Sequence, residues 1–205
     1  GFLMDGTTRM SIDGKLLYHY CALSCLSEYA VVPEASCVKM PNEIPDDIAA
    51  LIGCAVTTGV GSALNTVQIS KNDTVAVLGA GGVGLSTIMG AAYAGASQII
   101  SIDIVPEKEK IARNVGATDF LLSDQDTIEQ IKSITNNRGV DYAFEAVGIP
   151  ELQELAFEIV RPGGTLVLSG ITPMGSETNL SGAILTRQEK TVKGSYYGTS
   201  DTSRD

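Results

Sequence analysis

From Thr74 onward the sequence repeats one unit: a short apolar run, a helical pattern, then another apolar run. The apolar runs fall at 74–78, 98–102, 119–122, 140–144, 165–169 and 191–195, and helical patterns fall near 82–94, 107–115, 127–135, 151–160 and, more weakly, 182–188. Neighbouring parallel strands need a long crossover, which a helix supplies, so this beat predicts βαβ units in a doubly wound parallel sheet of the α/β class. Asn136-Asn137-Arg138-Gly139 and Arg161-Pro162-Gly163-Gly164 read as helix-to-strand turns.

The first part of the chain has a different texture. Residues 1–44 are irregular and turn-rich, with β-like runs at 28–32 and 37–40 that are stopped by Pro33 and Pro41; they read as a few strands of a mostly β unit. After Pro45, Asp46 and Asp47 suit the first turn of a helix, and Ile48-Ala49-Ala50-Leu51-Ile52 gives it an apolar face that Gly53 is expected to end. A second helical stretch is expected at about 58–66. With 205 residues the chain fits one large domain, or a domain and a fraction of another.

Composition narrows the partners. Lys and Arg number 14 against 24 Asp and Glu, a net charge of −10 with no basic cluster, so no nucleic acid is expected to bind. No apolar run free of charge reads as long enough to span a membrane, and the amino terminus lacks the pattern of a signal peptide. Cys21, Cys25, Cys37 and Cys54 match neither a four-ligand zinc spacing nor a small disulfide scaffold. Free thiols in a cytoplasmic protein are the expectation.

The strongest motif lies where the run at 74–78 meets the next helix. Gly79-Ala80-Gly81-Gly82-Val83-Gly84 is a G-x-G-x-x-G loop between strand and helix, which makes the sheet a Rossmann sheet. Gly79 allows the tight turn, Gly81 lets the backbone approach a pyrophosphate, Gly84 lets helix pack on strand, and the helix amino end offers free N–H groups to phosphate. Asp103 ends the next strand, 19 residues beyond Gly84, where a carboxylate accepts from ribose hydroxyls and repels an extra phosphate. NAD is therefore expected over NADP. Lys108 is within reach of the same ribose, although the run Glu107-Lys108-Glu109-Lys110 equally describes a solvated helix face.

Four segments together resemble a known family: Ser27-Glu28-Tyr29-Ala30-Val31-Val32, the stretch from Gly53-Cys54 through Thr57-Thr58-Gly59 to Asn65, the glycine loop, and Gly139-Val140-Asp141-Tyr142-Ala143-Phe144-Glu145. They are similar to the zinc-dependent medium-chain alcohol dehydrogenases, in particular the branch of classical alcohol and glutathione-dependent formaldehyde dehydrogenases. The resemblance implies part of a GroES-like catalytic domain at 1–55, an NAD-binding domain at 56–198 and a return toward the catalytic domain at 199–205. It implies a homodimer or homotetramer that joins along the sheet edge near 191–195 and acts on a small alcohol or aldehyde.

The resemblance also implies site residues. Cys54, which by its neighbours alone reads as a buried inert thiol, matches the last of three protein ligands of a catalytic Zn2+. Thr58 matches a position beside the nicotinamide, and Val83 one whose backbone meets the pyrophosphate. The turns Ala146-Val147-Gly148 and Gly170-Ile171-Thr172 end successive strands and offer backbone groups to the nicotinamide, while Glu145 reads equally as a structural carboxylate. The family's other zinc ligands have no counterpart here, since the single histidine, His19, matches a residue that is not a ligand. Two other functions stay open: a dinucleotide-binding sensor without catalysis, and a zinc-free quinone or enone reductase.

Overall fold

The computed structural model describes residues 1–201 and divides the chain into two units, Gly1–Ile44 and the remainder from Pro45. Of the segment expected at 199–205, residues 202–205 lie outside the described residues.

In the first unit, β1 (Met10–Ile12) and β2 (Lys15–Leu17) form an antiparallel hairpin. Asp13 and Gly14 make its two-residue loop with φ of 50° and 75°, the positive pair that a tight hairpin turn requires. His19 is buried, and its Nε2 accepts from the Arg9 N–H at 3.1 Å, which leaves Nδ1 to donate to the Leu23 carbonyl at 3.1 Å. The expected strands at 28–32 and 37–40 do not form; those stretches hold no strand, and a single 3₁₀ turn, Glu34–Ser36, lies between them. A β-prone run becomes a strand only against a hydrogen-bonding neighbour, and Tyr29 and Val31 stay exposed without one.

The second unit opens with a continuous helix, Asp46–Thr66. It comprises α1 (Asp46–Leu51), a π-helical turn (Ile52–Val56), α2 (Thr57–Gly61) and a second π-helical turn (Ser62–Thr66). Gly53 does not end it, because the extra residue of the π turn carries the backbone bonding past the glycine. Contrary to expectation, this stretch is long and apolar enough to cross a membrane by length and composition. In the fold, however, Gly59, Gly61, Ser62 and Ala63 on one side of it are buried.

The sheet follows. Its strands are β3 (Thr74–Leu78), β4 (Gln98–Asp103), β5 (Asp119–Leu122), β6 (Val140–Glu145), β7 (Val160–Leu168) and β8 (Thr191–Gly194), all parallel in the order β5-β4-β3-β6-β7-β8. The connecting helices are α3 (Gly82–Ala94), α4 (Lys108–Asn114), α5 (Thr127–Ile134), α6 (Pro150–Ile159) and α7 (Gly182–Arg187). Strand β7 begins earlier than its apolar run: Val160 pairs with Val140, the register then shifts, and Thr165 pairs with Tyr142. The Arg161–Gly164 turn is thus a bulge inside a strand rather than a plain connection.

Burial on both faces explains the unbroken apolar runs. Ala76, Leu78, Ile100, Ile102 and Leu166 face one core with Ile131, Ala156 and Phe157, whereas Val75, Val77, Ile99, Phe144 and Val167 face a second core with Ile88, Ala91 and Ala112. Chain direction across the sheet reverses between β3 and β6, the first βα unit going one way and the later strands the other. A crevice opens at the carboxyl ends of the strands at such a switch point.

Candidate functional site

That crevice is a cavity of about 390 Å³ lined by Gly79 and Gly81 of the loop, Asp103, Val105 and Lys108 beyond β4, and Val147 beyond β6. The three glycines of the loop act as the motif requires. Gly79 has φ of 97°, in the left-handed region that a side chain resists. A Cβ on Gly84 would overlap the Gly79 carbonyl oxygen, so helix meets strand only without one. A Cβ on Gly81 would meet nothing within 4 Å; it would project into open space ahead of α3. No side chain caps α3, so the N–H groups of its first turn at Gly82, Val83 and Gly84 have no side-chain acceptor.

Asp103 is 7% exposed and stands at the rim. Its Oδ2 accepts from the Ala80 N–H at 2.6 Å and from Lys108 Nζ at 2.9 Å, and its Oδ1 accepts from the Val105 N–H at 3.0 Å. Burial pushes this carboxyl up, but the hydrogen bonds from Ala80, Lys108 and Val105 outweigh it and hold the group below the ordinary carboxylate value. A carboxylate offers about four acceptor positions. Three are used, which leaves one on Oδ1 for a hydroxyl. Lys108 is therefore not a free surface lysine; it is drawn onto the carboxylate and lines the cavity with it.

At the other side of the crevice, Glu145 is fully buried at the end of β6. Its Oε1 accepts from the N–H groups of Val147 and Gly148 at 2.8 and 2.7 Å, which fixes the turn at 146–148. Val147 Cγ2 lies 2.5 Å from where a Cβ of Gly79 would be, so this turn rests on the phosphate loop. Gly170 is backed by the same carboxylate, and Ile171 beside it is largely exposed. The expected cofactor residues Gly79, Gly81, Asp103, Lys108 and Val147 thus share one cavity, with Gly82, Val83 and Gly84 at the helix end beside it; Gly170 and Ile171 sit at the next strand end outside its lining. Sequence reasoning underweighted Glu145. The signal was an acidic residue closing an apolar strand three residues before a glycine, Gly148, whose φ is 88°.

Cys54 lies in the first π turn and is exposed, unlike the inert thiol its neighbours suggested. The next residue, Ala55, sets this turn beside the phosphate loop: its Cβ lies 3.3 Å from where a Cβ of Gly82 would be. One helical turn on, Thr58 is buried. Among the described residues no three His, Cys, Asp or Glu side chains gather as a metal site. Cys54 supplies a single sulfur donor, and the described residues alone do not fit a zinc centre, which needs at least three ligands.

Comparisons with known proteins agree with this geometry. The zinc-binding dehydrogenase family matches residues 82–205. The chain is 42% identical over 180 residues to alcohol dehydrogenase class-3 of Myxine glutinosa, covering 86% of this chain and 48% of that protein. It is 41% identical over 180 residues to S-(hydroxymethyl)glutathione dehydrogenase of a Synechocystis species, covering 86% and 49%. Among solved structures, an alcohol dehydrogenase zinc-binding domain protein from Burkholderia ambifaria superposes with a TM-score of 0.90 at 32% identity, over 98% of this chain and 55% of that one. Benzyl alcohol dehydrogenase from Acinetobacter calcoaceticus gives 0.84 at 31% identity, over 89% and 51%. The chain spans about half the length of the curated relatives it matches. A cavity at the sheet's switch point, a glycine loop with each glycine in its required place, and these likenesses converge: the chain belongs to the zinc-binding dehydrogenase family.

Proposed function

We propose that this chain is the dinucleotide-binding part of an NAD-dependent, zinc-dependent alcohol dehydrogenase that moves hydride between an alcohol or aldehyde and the nicotinamide. The spare acceptor position of Asp103, held over a cavity that also receives the loop of Gly81, carries the reading. One ribose hydroxyl suits that position, and a 2′-phosphate does not. Lys108 adds a cation that contacts the same ribose. Gly82, Val83 and Gly84 offer N–H groups to the pyrophosphate, and Val147, Gly170 and Ile171 offer backbone to the nicotinamide. The printed names of the relatives, alcohol and S-(hydroxymethyl)glutathione dehydrogenases, support an alcohol or aldehyde as substrate.

In this reading Cys54 gives one thiolate to the zinc and Thr58 stands beside the nicotinamide. Residues 1–55 belong to the catalytic domain, 56–198 bind the cofactor and 199–205 begin the return. A cytoplasmic homodimer or homotetramer completes the reading, with neither nucleic acid nor membrane as a partner.

Gly81→Val tests it. A side chain there enters open space, so the fold should keep its circular dichroism while NAD affinity in calorimetry falls ~100-fold or more. The unaltered chain should prefer NAD to NADP. Wild-type affinity in Gly81→Val, or a preference for NADP, would sink the proposal.

A further inference from the structure

Glu145 does more than fill a buried slot. Besides the two N–H groups held by Oε1, its Oε2 accepts from Gln153 Nε2 at 3.4 Å, and Gln153 is itself 4% exposed on α6. Gln153 Oε1 in turn accepts from Thr178 Oγ1 at 2.6 Å, and one residue on, the Asn179 N–H donates to Glu154 Oε1 at 2.8 Å. The segment that leaves β7 is thus tied to α6, and through α6 to the carboxylate beneath the β6 turn. The two turns also nest directly. The Glu145 carbonyl accepts from the N–H groups of Ser169 and Gly170, both at 2.9 Å, and a Cβ on Gly148 would overlap the Ile171 carbonyl oxygen.

On the side of the crevice away from Asp103, the buried carboxylate therefore orders the turn after β6 directly and reaches the segment after β7 through Gln153 and Thr178, while main chain alone joins the end of β6 to Ser169 and Gly170. Neither oxygen lines the cavity, so any effect on a ligand passes through the turns. We infer that Glu145 is a positioning residue for the nicotinamide half of the dinucleotide, with Gln153 and Thr178 extending its hold to the segment after β7. This rests on the dinucleotide reading above. The adenosine half, read as bound by Asp103 and the amino end of α3, has hydrogen bonds that Glu145 does not make, and meets the Glu145-held turn only at Val147.

The test is calorimetric titration of the full chain with NAD and with ADP-ribose, which keeps the adenosine and both phosphates but lacks nicotinamide. Glu145→Ala should weaken NAD ~10-fold and ADP-ribose by no more than ~2-fold, and Gln153→Met should weaken NAD ~3-fold with ADP-ribose again unaltered. Glu145→Gln keeps an oxygen to accept from Val147 and Gly148, and should return NAD to within ~3-fold of wild type. Equal losses for the two ligands, or unchanged NAD affinity in the variants, overturn the inference. Should Glu145→Ala fail to fold, Gln153→Met decides by the same criterion. A wild-type chain that binds neither ligand removes the dinucleotide reading itself, and this inference with it.

Discussion

Two buried aspartates stand at opposite ends of the same sheet, and they are bonded differently. Asp141, near the amino end of β6, is 3% exposed. Its Oδ1 accepts from Arg138 Nη2 at 2.7 Å and Arg161 Nε at 2.6 Å, and its Oδ2 from Arg138 Nη1 at 2.8 Å and the Thr74 N–H at 2.9 Å. All four acceptor positions are taken. Asp103, at the carboxyl end of β4, has three partners and a cavity in front of it. Both carboxyls are held low, so charge alone does not tell them apart. What differs is the vacancy: a saturated carboxylate joins β6 to β3 and to the bulge of β7, and an unsaturated one is available to a ligand.

The largest expected effect breaks the saturated one. Asp141→Ala leaves two guanidiniums and the Thr74 N–H without their acceptor and should cost about 3 kcal/mol of stability in urea unfolding, with NAD affinity unchanged in the folded protein. Next, Asp103→Ser should cost ~1.5–3 kcal/mol of NAD binding, or roughly 10–100-fold, and relax the rejection of NADP, with a smaller change in the urea midpoint. If the two substitutions exchange these phenotypes, the distinction by spare acceptor positions is wrong.

The smallest effect is acid-dependent. Burial raises the Asp141 carboxyl, but Arg138, the Thr74 N–H and Arg161 bring it to about 2 from the ordinary 3.8. Its stabilisation is complete above the unfolded value and is lost as pH falls from about 4 through about 2. It amounts to about 1–2 kcal/mol once solvent screening at the half-exposed Arg138 is allowed for. Urea midpoints of wild type and Asp141→Ala should converge over that window. A gap that stays constant would mean that the ion pairs contribute no pH-dependent term.

Legibility follows the same division between local and distant causes. The strand at Thr74–Leu78 was readable to the residue, because burial on both faces writes an uninterrupted apolar run between turn signals. The loop and Asp103 were readable because their spacing is local. The strand expectation at 28–32 failed for want of a partner strand, which no pattern within the run discloses. Gly53 looked like a stop, and a π turn overrode it. The hairpin loop at Asp13-Gly14 was a legible signal that went unused. Glu145 and Gln153 are eight residues apart in sequence, yet what makes them a pair is Thr178, whose position only the folded segment after β7 supplies.

The close packing of α2 on α3 has a mechanical consequence. A Cβ on Gly59 would overlap the Val83 carbonyl oxygen and come within 2.7 Å of the Thr87 nitrogen, and one on Gly90 would come within 2.9 Å of the Ala63 Cβ. At these two glycines the helices approach so closely that only backbone and the first side-chain carbons of Ser86 and Ala63 lie between them. Close approach at both glycines opposes sliding or rolling of one helix on the other, so the thiol of Cys54 and the amino end of α3 are carried on one tightly joined pair. Their separation is set like a gauge block, by the closeness of that approach.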